Sequence, residues 1–320
     1  MLQGCGLPPT EISATQDPVE DVPIHLLMVG DWGVGGNQTD QAMVAAALRN
    51  YQTKWSFKAD SLLMLGDNFY DGMPGGVTSP RWQSTFEQMY PASDFNCPVY
   101  AVPGNHDYEL APESKVDAEF AYSALGTSRW TMPSRYWSMT MPAANPYVTL
   151  YFVDSNMPNE RAQPLPPNPN FYTATDAQRQ EQLDWLTTEL NKPKATTFRV
   201  VVGHHPLYSN GPHGDNNTLI RDWDPLFRAH KVDMYLAGHD HDLQHLEFAG
   251  HPTSFVSSGG GGATLNALDN SSRGPFGMEV HGFTHLHASA QQLTLRHLGT
   301  DGGLLHKFSR TADGTVTILH

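Results

Sequence analysis

Five apolar runs in this chain each end on a glycine followed by side chains that can bind metal ions. The patches are Gly30-Asp31-Trp32-Gly33, Gly66-Asp67-Asn68-Phe69-Tyr70, Gly104-Asn105-His106-Asp107, Gly203-His204-His205-Pro206 and Gly238-His239-Asp240-His241. A short apolar run bounded by turn signals reads as a buried strand. A fold that accommodates all of these must gather several strand ends in one place, and in open α/β sheets ligands collect at the carboxyl edge. One Gly-Asp alone marks an ordinary turn; the signal lies in the order and company of the set.

The rest of the chain fits such a fold. Ile24–Val29, Ser61–Leu65 and Pro98–Val102 read as strands, with helical spacing between them from Thr39 to Asn50. Ser79-Pro80 supplies a cap and a first-turn proline for a second helix to about Tyr90. The strands are apolar on both faces, as in a sheet covered on both sides. Residues 108–135 read as irregular, aromatic-rich and rimming the pocket. Arg135–Met141 and Tyr147–Asp154 alternate as an antiparallel pair, and 156–174 reads as a surface loop. Thr175 and Gln178 form a capping box for a helix to Asn191 that buries Leu183, Leu186 and Leu190. Thr197–Val202 and Val232–Ala237 are strands around a helix near 218–230. Alternating runs near 253–257, 282–288, 292–298, 303–309 and 315–319 read as an antiparallel meander. The expected fold class is α/β, a four-layer α-β-β-α sandwich of two packed mixed sheets flanked by helices and built on βαβαβ units. Residues 1–23 are expected to be a tail or tether, and 24–320 the catalytic domain.

Charge narrows the function. A net charge of −14 argues against a nonspecific nucleic-acid binder. It leaves room for a phosphorylated substrate, because bound metal would dominate the local field. No apolar run approaches the ~18 residues of a membrane span. Of the two cysteines, Cys97 reads as a small buried hydrophobe, with a Cys5–Cys97 disulfide disfavoured. Leu2-Gln3-Gly4-Cys5, followed by a Pro-rich acidic stretch, looks like the end of a bacterial lipoprotein signal. The charged and apolar parts of a signal peptide are absent, so either a leader was trimmed or the likeness is accidental. N-x-S/T sequons stand at Asn37, Asn216 and Asn270.

Asp31, Asp67, Tyr70, Asn105, His204, His239 and His241 are enough donors for two metals sharing one carboxylate. Paired metals are a common device for displacement at phosphorus.

The five patches together resemble the metallophosphoesterase superfamily and, within it, the purple acid phosphatases of the compact, mammalian-type branch. Most of the superfamily carries Asp-x-His in the first patch; here the third position is Gly33. Tyr70, three residues after Asp67, is the donor that the purple enzymes use instead. The resemblance implies that Asp31, Asp67, Tyr70 and His241 hold Fe(3+). Asp67 then bridges, and Asn105, His204 and His239 complete a second site for a divalent metal, Fe(2+), Zn(2+) or Mn(2+). It further implies an acid phosphatase that hydrolyses phosphate monoesters through a metal-activated hydroxide.

His106 matches the family histidine that faces substrate, and Asp107 is expected to orient it or its neighbours. His213 is the stronger candidate proton donor, although Pro212 stands where the family has an acid. His205 either contacts substrate or fills the pocket. Asn105, His106, His205 and His213 form the expected substrate-binding set. Trp32 either floors the site or belongs to the core. His285 and His287 alternate on a strand and read as surface or packing residues.

The expected partners are small phosphorylated substrates with inorganic phosphate as product, no nucleic acid and no integral membrane span. The chain is expected to be a monomer in an extracytoplasmic location, secreted or periplasmic, with Cys5 as the site of any lipid anchor. Rival functions on the same centre are a phosphodiesterase or nucleotide pyrophosphatase, and a peroxidase-like redox activity. A binding module that has lost its chemistry is disfavoured, because every ligand position is filled.

Overall fold

The computed structural model of the chain describes residues 22–109, 115–157, 174–269 and 273–319. The Cys5 tether, most of the 156–174 loop and the Asn270 sequon lie outside these residues.

Strand β1 (Ile24–Val29) runs parallel to β2 (Ser61–Met64), which is parallel to β3 (Val99–Ala101) and then to β4 (Trp130–Thr131). On the other side of β1, an antiparallel meander of β12 (Gly282–Ala288), β13 (Gln292–Gly299), β14 (Leu304–Thr311) and β15 (Val316–Leu319) completes the first sheet. The second sheet holds β5 (Trp137–Met141), β6 (Val148–Phe152), β7 (Phe198–Val202), β8 (Met234–Ala237), β9 (Leu243–Leu246), β10 (Ser254–Ser258) and β11 (Phe276–Met278). Strands β6, β7, β8 and β10 are parallel at its centre.

Alternation within each strand sorts side chains between layers. In β1, Leu26 and Met28 face the second sheet and, with Leu286 and Phe308 of their own sheet, share a core with its Val200 and Leu236. Leu27 and Val29 face outward onto α1 (Thr39–Trp55), through Val44, Leu48 and Tyr51. The outer face of the second sheet packs on α3 (Asp176–Asn191) and α4 (Asn217–His230) through Leu186, Leu190, Leu219, Trp223 and Phe227. Each such fully buried large apolar side chain contributes roughly 1.5–3 kcal/mol. The result is the expected four-layer α-β-β-α sandwich. Helix α3 carries the expected Thr175–Gln178 capping box, with Leu183 at its edge only half-buried.

Several elements differ from expectation. Segment 108–135 contains a helix, α2 (Lys115–Ala124), and the edge strand β4. The turn after Ser79-Pro80 winds as a π-helix over Trp82–Glu87. Helix α1 runs on to Trp55 and ends at Ser56, whose left-handed backbone caps the last carbonyls. Strand β10 leaves the C-terminal meander for the second sheet, pairing parallel with β8. Cys97 is buried and free. No helix among the described residues is long and apolar enough to cross a membrane.

Candidate metal centre

The turns after β1, β2 and β3 in one sheet, and after β7 and β8 in the other, meet at one end of the sandwich. Asp31, Asp67 and His239 take left-handed backbone, with φ of 59°, 50° and 71°. Non-glycine residues rarely adopt this conformation, and it clusters at functional sites where the surroundings enforce it. Here it swings each side chain off its strand into the space between the sheets. His239 N–H donates to Asp31 Oδ2 at 2.8 Å, and the Asp31 N–H to Gly66 O at 3.0 Å, so the turns lock one another. A Cβ on Gly238 would lie 2.6 Å from Asp31 Oδ2, so that close approach needs a glycine.

Around one point, Tyr70 Oη lies 3.0 Å from His241 Nε2 and 3.3 Å from Asp31 Oδ1, and His241 Nε2 lies 3.5 Å from that same oxygen. Around a second point, His204 Nε2 lies 3.1 Å from Asn105 Oδ1 and 3.4 Å from Asp67 Oδ1. The Asp67 charge also acts on the Tyr70 phenol, so one carboxylate faces both groups. Donor atoms of Asp31, Asp67 and His204 lie within 4.8 Å of one another, as do those of His204, His205 and His239. Mixed carboxylate, phenol, amide and imidazole donors around two adjacent points suit hard and borderline cations.

The electrostatics show what a cation would relieve. Burial pushes the Asp31 carboxyl up and, with the Asp67 and Asp31 charges, lifts the Tyr70 phenol well above its usual range. Burial alone would lower His204, but the Asp67 carboxylate outweighs it and lifts the imidazole to about 10. His241 rises to about 9 because its bond to Asp31 likewise overcomes burial. Burial and neighbouring imidazoles hold His239 and His205 neutral, the ligand-competent form. Two buried carboxylates are thus balanced by protons on His204 and His241, where metal would take the protons' place.

Gly33 is more than a missing ligand. Its N–H donates to Asp67 O, and its carbonyl accepts from the Tyr70 N–H at 2.9 Å. A Cβ there would overlap Asn68 O, so this backbone admits no side chain. Arg81 binds Gly33 O at 2.8 Å and Asp71 O at 2.9 Å, tying the two loops together. Lys115, from α2, donates to Tyr70 O at 2.9 Å. Asp107 accepts from the N–H groups of Gly104, Asn68 and Phe69, so it braces the neighbours of His106. Trp32 is wholly buried among Phe69, Tyr90 and Trp130 and donates to Asn68 Oδ1, which makes it core supporting that loop.

At the mouth, the His106 N–H donates to Asp67 Oδ1 at 2.8 Å, while its Nδ1 lies 2.7 Å from Glu109 Oε2. His205 is buried, its ring beside His239 and its Nδ1 3.0 Å from Ser155 Oγ. His213 stands over His239, with ring centroids 4.1 Å apart. The acid missing at Pro212 is supplied by Asp240, whose Oδ1 lies 2.6 Å from His213 Nδ1. Asp240 is buried and also accepts from Ser209 Oγ. It sits between two expected ligands in the fifth patch, and its unusual company there was the available signal. Glu109, Asp240, Arg81 and Lys115 all escaped the sequence reading.

Residues 24–243 match the calcineurin-like phosphoesterase family. The chain belongs to this family, whose members hydrolyse phosphoesters at a metal centre. Within it the relatives are acid phosphatases. The mouse tartrate-resistant acid phosphatase type 5 is 30% identical over 305 residues, spanning 89% of this chain and 90% of the mouse protein. Purple acid phosphatase 3 of Arabidopsis thaliana is 30% identical, over 91% of this chain and 78% of its own. The chain is a purple acid phosphatase-type hydrolase. The fold is shared with the purple acid phosphatase from yellow lupin seeds, at a TM-score of 0.67 and 16% identity, over 92% of this chain and 55% of that one. It is also shared with GAP50, described as the anchor in the inner membrane complex of Plasmodium, at a TM-score of 0.72 and 20% identity, over 89% and 87% of the two chains.

Proposed function

We propose that this chain is an acid phosphatase for phosphate monoesters. In this reading Asp31, Asp67, Tyr70 and His241 hold Fe(3+), while Asp67, Asn105, His204 and His239 hold Fe(2+), Zn(2+) or Mn(2+). The observation that carries it is the meeting of Tyr70 Oη with His241 Nε2 and Asp31 Oδ1, beside a backbone that has no room for a histidine at Gly33. A metal pair, when bound, neutralises charge on the phosphoryl oxygens and acidifies a water.

The chain's own residues do the rest. Asn105 and His106 bind and orient the phosphoryl group. His205, wedged against Ser155, walls the pocket and excludes water. His213 donates from Nδ1 to Asp240, which orients the ring, and as an imidazolium it carries on Nε2 the proton that passes to the departing alkoxide, leaving a neutral ring still bonded to Asp240. The exposed rim at His213 suits small substrates. An extracytoplasmic location, a monomeric state and lipidation of Cys5 belong to the same proposal.

The test is a visible absorption spectrum with metal analysis, on wild type and Tyr70→Phe, followed by rates on monoesters and diesters. A charge-transfer band with bound iron, lost in Tyr70→Phe with the fold kept, supports the reading. Unchanged colour in the variant removes Tyr70 as a ligand, and faster diester turnover overturns the monoesterase assignment.

A further inference from the structure

On the outer face of the first sheet, α1 covers β1, β2 and the start of β12 and stops at Trp55. Beyond its end, a cavity of about 720 Å³ opens over β12, β13 and β14. None of the groups already placed in the metal centre lines it. One wall is a stack of flat rings: Phe57 lies 4.4 Å from His25 and 5.0 Å from His285, at interplanar angles of 25° and 16°. His285 is fixed by Tyr51 Oη at 3.0 Å and by His25 Nδ1 at 3.0 Å, so the wall is rigid. Trp55 stands at the rim with 62% of its surface exposed.

The charged part of the lining is cationic, with Arg296 paired across the β12–β13 register from His285. Lys54, Arg296 and Lys307 line the cavity, and among the described residues no carboxylate forms an ion pair with any of them. In a chain of net charge −14, such a cluster is out of keeping with the rest of the surface. Two acids stand at the rim, each holding a main-chain N–H: Asp60 that of His25 at 2.7 Å and Asp301 that of Gly303 at 2.7 Å. The carbonyl end of α1 points this way, but Ser56 N–H already binds the carbonyls of Gln52 and Thr53. Three histidines also line the cavity, but Arg296 and Lys307 would repel a divalent cation from them. A volume of this size suits a small molecule. Cations beside an aromatic wall suit a flat ring that carries negative charge.

We propose that this cavity is a second ligand site, separate from the metal centre, that takes a planar aromatic anion. The ring packs on the Phe57–His25–His285 wall under Trp55, and the anionic group is held by Arg296 and Lys307. Aryl carboxylates, aryl sulfonates and the base-plus-phosphate of a nucleotide share this chemistry. The proposal does not depend on which metals the centre holds.

The probe is naphthalene-2-sulfonate, which has no ester to hydrolyse. Its binding to the metal-loaded full chain is measured by calorimetry, with inorganic phosphate saturating the metal centre. Binding at one site that persists in phosphate is expected, with the uncharged 2-naphthalenemethanol at least about tenfold weaker. Arg296→Gln, Lys307→Gln and Trp55→Ala should each weaken the sulfonate by roughly three- to tenfold. All three should leave the melting temperature and the turnover of a simple aryl phosphate unchanged. Absence of binding, displacement by phosphate, or affinity indifferent to all three variants would overturn the proposal.

Discussion

Two sets of histidines divide this molecule. His204, His239 and His241 stand in turns just past β7 and β8, whereas His25, His245, His285, His297 and His306 stand inside strands. A turn residue can take unusual backbone, as His239 does, and aim its ring across the gap between the sheets. A strand residue cannot, because the pleat fixes which way it points. Its imidazole packs instead: His245 stacks on Phe308 at 3.6 Å, and His306 on Phe276 at 4.7 Å. The charges separate in part, since burial holds His239 neutral too. Burial, with the neighbouring His306, drives His297 well down, and burial with Arg296 pushes His285 down to about 2. His204 is as deeply buried, yet the Asp67 carboxylate reverses the direction. Burial by itself therefore makes a neutral ring, in His239 as in His297, and a carboxylate across the gap is what sets His204 and His241 apart.

The largest effect should come from cutting that carboxylate contact. Asp67→Asn removes a carboxylate that faces both donor clusters, so metal retention should fail and kcat/KM drop by on the order of 10³ or more. Retained activity with a full metal complement would remove Asp67 as the bridge. His213→Ala should cost about 10² with poor leaving groups and much less with good ones. Asp240→Asn should follow the same pattern more weakly, and equal losses across leaving groups would argue against proton donation.

The contrast also predicts a pH dependence in the metal-stripped protein. His204 at about 10 and His241 at about 9 lie above the ~6.5 of a free imidazole. Their stabilisation is complete below that unfolded value and is lost as pH rises through 9 to 10. The melting temperature of stripped protein should therefore fall between about pH 6.5 and 10. Metal-loaded protein should lack this slope, because bound metal requires both rings neutral. Identical curves for the two forms would break the link between these protons and the metal positions. The smallest effect on catalysis should come from His297→Ala, which should cost roughly 2 kcal/mol of stability and leave turnover within about twofold. A large loss of activity there would erase the distinction between the two sets.

The expected ligand patches were legible because each is local: an apolar run, a glycine and a polar side chain within a few residues. The layers were legible too, since short runs apolar on both faces mark β1 and β7 as covered strands and helical spacing holds in α1 and α3. What escaped was set by distance in the chain. The His213–Asp240 pair spans 27 residues and depends on two loops meeting. Helix α2 was hidden because two of its inward positions are polar. Lys115 and Glu119 are buried where an apolar stripe would be expected, facing Tyr70 O and Asn68. Strand β10 has the spacing of a meander strand, and only packing assigns its parallel pairing with β8.

The crowding of Gly33 against Asn68 has a consequence for how the metal preference of this protein could change. A histidine at position 33 and a tyrosine at position 70 are rival tenants of one seam between two loops. Admitting the first would pry the loops apart and carry Tyr70 away from His241. On the proposed ligand set, main-chain spacing decides the identity of the donor, and a single exchange at Gly33 is expected not to convert one type of centre into the other. An engineer seeking a different metal here would have to redesign the seam, including Arg81, before touching any ligand.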